Sequence, residues 1–256
     1  MRIVVKVGTS TLAHPTGLTN IRRVEDLCRV LSDLKNAGHE VILVSSGAIG
    51  MGAGKLGMRE RPRDTEGKQA AAAVGQCELM YTYDRLFGQY NHVVAQLLLT
   101  ADDFSDPVRR GHLQQTLYRL LAMKALPVVN ENDTVATEEL SVGDNDTLSA
   151  LVAEAARAEL LVILTDRDGL YTADPSTNPD AELIHTVPRL TREILDMAGA
   201  SGSSLGTGGM TTKLQAAQIA THAGMDVVIS NGSRPEDLYD IVAGKPVGTR
   251  FLKMEV

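Results

Sequence analysis

Between Leu126 and Ala156 two clusters of short acidic and amide side chains interrupt an otherwise apolar pattern: Asn130, Glu131, Asn132 and Asp133, then Gly143, Asp144, Asn145 and Asp146. Turn chemistry and helix capping account for either cluster alone, since Asn-Asp and Gly-Asp sequences favour turns and an acidic residue favours a helix start. Taken together they supply one crevice with several carboxylates and amides. Carboxylate and amide oxygens suit an ammonium group or a metal ion, and amide N–H groups suit a carboxylate. An amino acid presents both charges.

A second set of residues suits phosphate. Lys6 interrupts the apolar run Ile3 to Val7. In a strand buried on both faces it requires an anion, whereas on an edge strand it reaches solvent. Gly8, Thr9 and Ser10 follow it with backbone N–H groups and hydroxyls. Gly206, Thr207, Gly208, Gly209, Met210, Thr211, Thr212 and Lys213 precede the helical run Leu214 to Ala223. A glycine-rich segment entering a helix N-terminus is a phosphate cradle by geometry. The plain alternative is a flexible loop with a solvated lysine. It is not a Walker motif, because Thr212 stands where that motif has glycine.

Two lysines and several Gly/Ser/Thr strand ends describe a polyphosphate site. Phosphoryl transfer uses such parts, because its transition state spreads charge that cations and N–H donors stabilise. Lys6 and Lys213 are the candidate catalytic cations, and Asp146 is a carboxylate able to hold both. Mg²⁺ accompanies the nucleotide, since it prefers phosphate oxygens and water. No histidine stands out as a base, which favours an acceptor already ionised at neutral pH, a carboxylate of reference pKa about 4.3.

Other motif matches fail on context. Gly52, Gly54 and Gly57 satisfy the dinucleotide fingerprint but start well after the preceding strand, and are read instead as loosening a loop over Lys55 to Asp64. Gly202 to Gly206 match the hydrolase nucleophile elbow, which needs a strand before it, whereas Ile194 to Ala200 has helical spacing. None of the six His residues are paired at metal-ligand spacing, so no zinc site is inferred.

These groups need a scaffold, and the sequence alternates strands with helices. Ile3 to Val7, Val41 to Val44, Val93 to Leu99, a strand ending at Pro127 to Val129, Leu160 to Leu164 and Val227 to Ile229 read as short strands. Val24, Leu27, Leu31 and Leu34 mark a helix ending near Gly38, and Lys68 to Phe87 and Leu113 to Leu121 mark two more. A further helix carries Leu148, Leu151 and Val152, with Asp144, Asn145 or Asp146 as its cap. A short one is read from Pro235 to Val242. Tyr171 to Val187 reads as a hairpin or excursion. Strands joined by helices bring Lys6 to Ser10, Ser45 to Ala48 and Thr165 to Gly169 to one edge, where open α/β sheets bind ligands.

At 256 residues this continuous pattern predicts one large domain. The net charge of -7, with three Phe and no Trp, argues against a nucleic-acid surface. The N-terminus lacks a signal-peptide layout and no apolar run spans a membrane. Cys28 and Cys77 read as free, buried thiols in a reducing, cytoplasmic setting.

The motifs VVKVGTS at Val4 to Ser10, VSSGAI at Val44 to Ile49, KQAAAAVGQ at Lys68 to Gln76, NEND at Asn130 to Asp133, VGDND at Val142 to Asp146, TDRDGLYTADP at Thr165 to Pro175 and GTGGMTTK at Gly206 to Lys213 resemble the glutamate 5-kinases of the amino-acid kinase family over essentially the whole chain. The resemblance implies a three-layer αβα sandwich with a mainly parallel open sheet, which phosphorylates L-glutamate with Mg-ATP for proline synthesis. By motif it places Lys6 on the nucleotide phosphates, Ser46, Asp133 and Asn145 on glutamate, and Thr165, Asp166 and Thr207 to Lys213 on ATP. It also implies a homo-oligomer inhibited by proline. Many members continue into a C-terminal PUA domain, and this chain is expected to be a single kinase domain over 1–256 without it. The rival expectations are a kinase of N-acetylglutamate or aspartate, and a non-catalytic sensor of the same fold. A blocked amine has no use for an anionic pocket, and a sensor has no need of both lysines.

Overall fold

The computed structural model describes residues 1–14, 18–136, 144–199 and 209–254. Its strands are β1 (Arg2–Val7), β2 (Glu40–Ser45), β3 (Val94–Leu99), β4 (Leu126–Glu131), β5 (Leu160–Thr165), β6 (Thr186–Val187), β7 (Asp226–Asn231) and β8 (Thr249–Phe251). Its helices are α1 (Thr9–Leu12), α2 (Ile21–Asn36), α3 (Ala48–Lys55), α4 (Thr65–Gly88), α5 (Asp102–Ser105), α6 (Pro107–Ala122), α7 (Asn145–Ala156), α8 (Arg192–Gly199), α9 (Met210–His222) and α10 (Asp237–Val242). The strands form one sheet in the order β3-β4-β2-β1-β5-β7-β8-β6. All pairings from β3 to β7 are parallel, β8 runs antiparallel to β7, and β6 is parallel to β8.

The β-branched central strands are buried on both faces, which parallel sheets require because their crossover helices cover both sides. Val4, Ile42, Val44, Val129, Leu161 and Ile163 pack under residues of α6, α7 and α9. Ile3, Val5, Leu43, Val128 and Val162 pack against α2, α4 and α10 on the other face. Helices, sheet and helices make the three layers expected. Side chains alternate along β1, so Lys6 shares the face of Val4 and points toward the α7 and α9 layer.

β1 and β5 are neighbours, yet β1 leads through α2 to β2 on one side and β5 leads through α9 to β7 on the other. Connections that diverge in this way open a crevice outside the carboxyl ends of the two strands. Lys6 and Thr165 lie at those ends.

Several local expectations need correction. The loop read over Lys55 to Asp64 is found between the end of α3 at Lys55 and the start of α4 at Thr65, but the helix α3 that contains Gly52 and Gly54 is not expected from the sequence. Helix α9 begins at Met210, so Met210 to Lys213 form its first turn instead of preceding it. The last helix starts at Asp237 with Glu236 as its N-cap, and Pro235 sits in the turn before it. Cys28 is buried but Cys77 is exposed, because the buried stripe of α4 runs through Ala72, Gln76, Leu79 and Tyr83. The excursion after β5 closes through an antiparallel bridge between Tyr171 and Leu183 and then adds β6 to the sheet. The nucleophile-elbow match Gly202 to Gly206 lies outside the described residues. Among the described residues no helix is long and apolar enough to cross a membrane.

Candidate active site

Asp144 is the N-cap of α7: its Oδ1 accepts from the Thr147 N–H at 2.9 Å. That settles which acidic residue caps the helix, and Asn145 and Asp146 project from the first turn in different directions. Asp146 faces the lysines. Its Oδ1 lies 2.6 Å from Lys6 Nζ and its Oδ2 lies 3.1 Å from Lys213 Nζ. Asp146 is 0 % exposed, Lys6 7 % and Lys213 6 %. The anion that a buried strand lysine requires is thus supplied by a helix on the same face. Burial alone would raise the Asp146 pKa, but the two ammonium groups and their hydrogen bonds outweigh it and hold the carboxyl below its ordinary value.

Two lysine side chains thus face one carboxylate in a nearly dry position. Such a cluster attracts an anion. Thr212 adds a hydroxyl 2.9 Å from Asp146 Oδ2 and 2.8 Å from the Gly209 carbonyl, to either of which it can donate. Gly209 is the N-cap of α9 and, among the described residues, no side chain caps the helix. Its first N–H groups can therefore serve phosphate oxygens, reinforced by the helix dipole.

Asn145 faces the other way, toward the ends of β2 and β4. Its Nδ2 lies 2.7 Å from Ser46 Oγ and 2.9 Å from Asn130 Oδ1, which joins the two acidic-amide clusters in space. Asn130 Nδ2 donates to Gln76 Oε1 on α4 at 3.0 Å. Two turns further along α4, the Tyr83 hydroxyl and Ser45 Oγ are 2.8 Å apart in a buried pair. Gly47, which follows Ser46, adopts φ +110, a backbone shape that favours glycine. It starts α3 without a side-chain cap among the described residues, so N–H groups face the crevice beside Ser46.

Asp133 lies on the turn after β4. Burial and the neighbouring Glu131 carboxylate push its pKa up to about 6, against a smaller lowering by Arg61. At the end of β5, the Thr165 hydroxyl donates to Asp166 Oδ1 at 3.1 Å. Asn231 pairs with Thr165 in the adjoining strand and donates to Asp168 at 2.9 Å.

Lys6, Asp146, Thr212 and Lys213 thus form one bonded cluster, with Gly209, Met210 and Thr211 beside it at the start of α9. Ser46 and Asn145 form a second, joined to the first because Asn145 and Asp146 are consecutive. Thr165 and Asp166 share the sheet edge without an observed bond to either cluster. Thr207 and Gly208 lie outside the described residues. Sequence reasoning passes over Gln76 and leaves Asn130 without a role. The available signal is a glutamine at a stripe position of an apolar helix, where only a partnered amide belongs.

The sequence pattern of the Amino acid kinase family matches residues 1–231. A glutamate 5-kinase of Clostridium tetani is 51% identical over 249 residues, covering 97% of this chain and 93% of that protein. A glutamate 5-kinase of Caldanaerobacter subterraneus subsp. tengcongensis is 50% identical over 255 residues, which are 100% of this chain and 68% of the longer relative. Among solved structures, the UMP kinase of Bacillus anthracis superposes with a TM-score of 0.68 at 16% identity, over 99% of this chain and 96% of that one. At that identity the likeness is one of fold.

Proposed function

The chain belongs to the amino acid kinase family and, within it, to the glutamate 5-kinases, and from that membership we propose that it transfers the terminal phosphoryl group of ATP to the side-chain carboxylate of L-glutamate, giving L-glutamyl 5-phosphate for proline synthesis. The observation that carries the chemistry is the buried Asp146 held between two lysines at the mouth of the β1/β5 crevice. Lys6 and Lys213 offset the charge that develops as the phosphoryl group moves, and Asp146 fixes their spacing beforehand, so no reorganisation is needed at the moment of reaction. A catalytic base has no task, because the acceptor carboxylate is already ionised.

The ligands divide between the two halves of the crevice. Thr165, Asp166 and the segment Thr207 to Lys213 take the nucleotide, with Lys6 reaching its phosphates from β1. Mg²⁺, which prefers phosphate oxygens and water, is assigned to the ATP phosphates and enters with the substrate. On the other side, Asp133 and the amide oxygen of Asn145 suit the ammonium of a free amino acid. The N–H groups that open α3, with Ser46, suit its α-carboxylate. An N-acetylated amine would forfeit the Asp133 interaction. Proline as an inhibitor, a homo-oligomer, a cytoplasmic setting and a single domain over 1–256 complete the reading.

The test incubates the protein with Mg-ATP and, in turn, L-glutamate, N-acetylglutamate and L-aspartate, trapping acyl phosphate with hydroxylamine while ADP is followed. Hydroxamate from L-glutamate alone is expected. Product from another acid overturns the pocket assignment, and ADP release without hydroxamate overturns carboxylate phosphorylation.

A further inference from the structure

Gln76 lies on the buried stripe of α4 and is 8 % exposed, and its partner Asn130 is 2 % exposed. The amide chain between them has a direction. Gln76 Oε1 accepts from Asn130 Nδ2 at 3.0 Å, the Gln76 Nε2 being buried without a partner among the described residues, and Asn130 Oδ1 accepts from Asn145 Nδ2 at 2.9 Å. A primary amide cannot present the same end in two directions. With Nδ2 committed to Asn130, to Ser46 Oγ and, at 3.5 Å, to the Ser45 carbonyl, Asn145 must aim its oxygen elsewhere. That oxygen is buried and has no hydrogen-bond partner among the described residues. A buried amide oxygen without a donor carries a desolvation penalty that an incoming N–H group removes.

The placement of Gln76 is itself built into the sequence. The preceding residue, Gly75, lets α4 approach α3 so closely that a Cβ there would stand 1.7 Å from the Ala48 carbonyl oxygen and 2.4 Å from the Gly52 nitrogen. From that helix the Gln76 amide reaches Asn130 at the end of β4.

We propose that Gln76 is a positioning residue for the amino-acid acceptor: through Asn130 it fixes the orientation of the Asn145 amide, so that the crevice offers the ammonium of the substrate an acceptor rather than an N–H donor. This rests on the reading that Asn145 binds glutamate. Among the described residues the relay makes no hydrogen bond to the Lys6, Asp146 and Lys213 cluster, so its loss is felt in recognition of the amino acid and not in phosphoryl transfer.

Gln76→Met keeps length and approximate volume but removes the acceptor, whereas Gln76→Glu keeps an acceptor for Asn130. The expected result for Gln76→Met is a KM for L-glutamate raised about tenfold, the scale of one neutral hydrogen bond lost, with kcat and the KM for ATP within twofold of the parent. Gln76→Glu is expected to recover most of the glutamate KM. An unchanged glutamate KM in Gln76→Met, a parallel rise in both KM values, or no recovery in Gln76→Glu would each overturn the proposal. Should Gln76→Met not fold, Asn130→Ala cuts the same relay one link closer and must give the same split. Asn145→Ala separates the two levels. If it raises the glutamate KM and Gln76→Met does not, only the positioning role falls; if it leaves that KM unchanged, the binding role of Asn145 and the inference fall together.

Discussion

Asp146 faces two lysines with a single carboxylate, and each lysine is bonded through its own oxygen. Lys213→Ala therefore keeps the Lys6 pair intact while removing one of the charges proposed to stabilise the transition state. Turnover is expected to fall by roughly 10²–10³, the scale seen when one preorganised donor is deleted, with the glutamate KM little changed; equal losses in both would refute the assignment. Asp146→Asn is expected to be worse in a second respect. It removes the carboxylate that both buried ammonium groups face, and breaking a buried ion pair costs about 3–5 kcal/mol, so the melting temperature should fall along with turnover. Asp133 gives a pH signature. Its carboxyl titrates near 6 when no ammonium is present, and a bound ammonium favours the ionised form and so lowers that value. Glutamate binding is thus full above about pH 6 and weakens as pH falls through that value, by up to about tenfold per unit. Calorimetric titration of L-glutamate without nucleotide, between pH 7.5 and 5, measures this directly. Asp133→Asn should bind weakly at every pH with the slope gone, and a retained slope would mean that another group is responsible. Much of this site is legible from residue types, since a lysine in an apolar strand and carboxylates at strand ends are costly unless used. Asp146 is legible as the carboxylate for the lysines, whereas which of Asp144, Asn145 and Asp146 caps the helix is not. Each of these three consecutive residues is able to cap, and which one does depends on where the helix starts.

Periodicity locates most helices and strands, and the places where it fails share a cause. Gly52 and Gly54 hide the helix α3 that precedes the loop after Lys55, and the glycines before Lys213 imply a later start than α9 has. Propensity disfavours glycine in a helix by about 1 kcal/mol relative to alanine, but tertiary contact decides otherwise when two helices need to touch. A Cβ at Gly52 would lie 1.8 Å from the Ala71 carbonyl oxygen, and one at Gly75 would strike α3 in return. Local sequence cannot show this, because the partner glycine is on another helix. The two accounts differ in sign. On propensity alone Gly75→Ala stabilises the protein; on packing it forces α3 and α4 apart, lowers the melting temperature and disturbs Ser46, Gly47 and the Gln76 relay together. Gly111, in the interior of α6, has no described atom within 4 Å of the position its Cβ would take. There the same change should stabilise by roughly 0.5–1 kcal/mol. Denaturant midpoints for the two variants are expected to move in opposite directions, and a gain in both would dismiss the close crossing.

At the scale of the whole molecule, the sheet order places the residues proposed for the nucleotide on the β5 and β7 side of β1 and those proposed for the amino acid on the β2 and β4 side. Lys6 stands between them on the central strand. Its partner Asp146 is adjacent in sequence to Asn145, so α7 touches both halves. A site divided in this way should answer each ligand separately in the absence of turnover. At a hundred times its dissociation constant, a ligand stabilises the folded state by about 2.7 kcal/mol, which for a domain of this size raises the melting temperature by roughly 5–10 °C. A non-hydrolysable ATP analogue with Mg²⁺ and L-glutamate should each produce a shift of this order. Lys6→Ala discriminates between halves, because Asp146 retains Lys213 as its partner and the amide network around Asn145 is untouched. The shift with L-glutamate should survive, and the shift with the ATP analogue at the same concentration should fall by more than half. Loss of both shifts would mean that Lys6 holds the crevice together rather than binding phosphate, and retention of both would remove it from the nucleotide site.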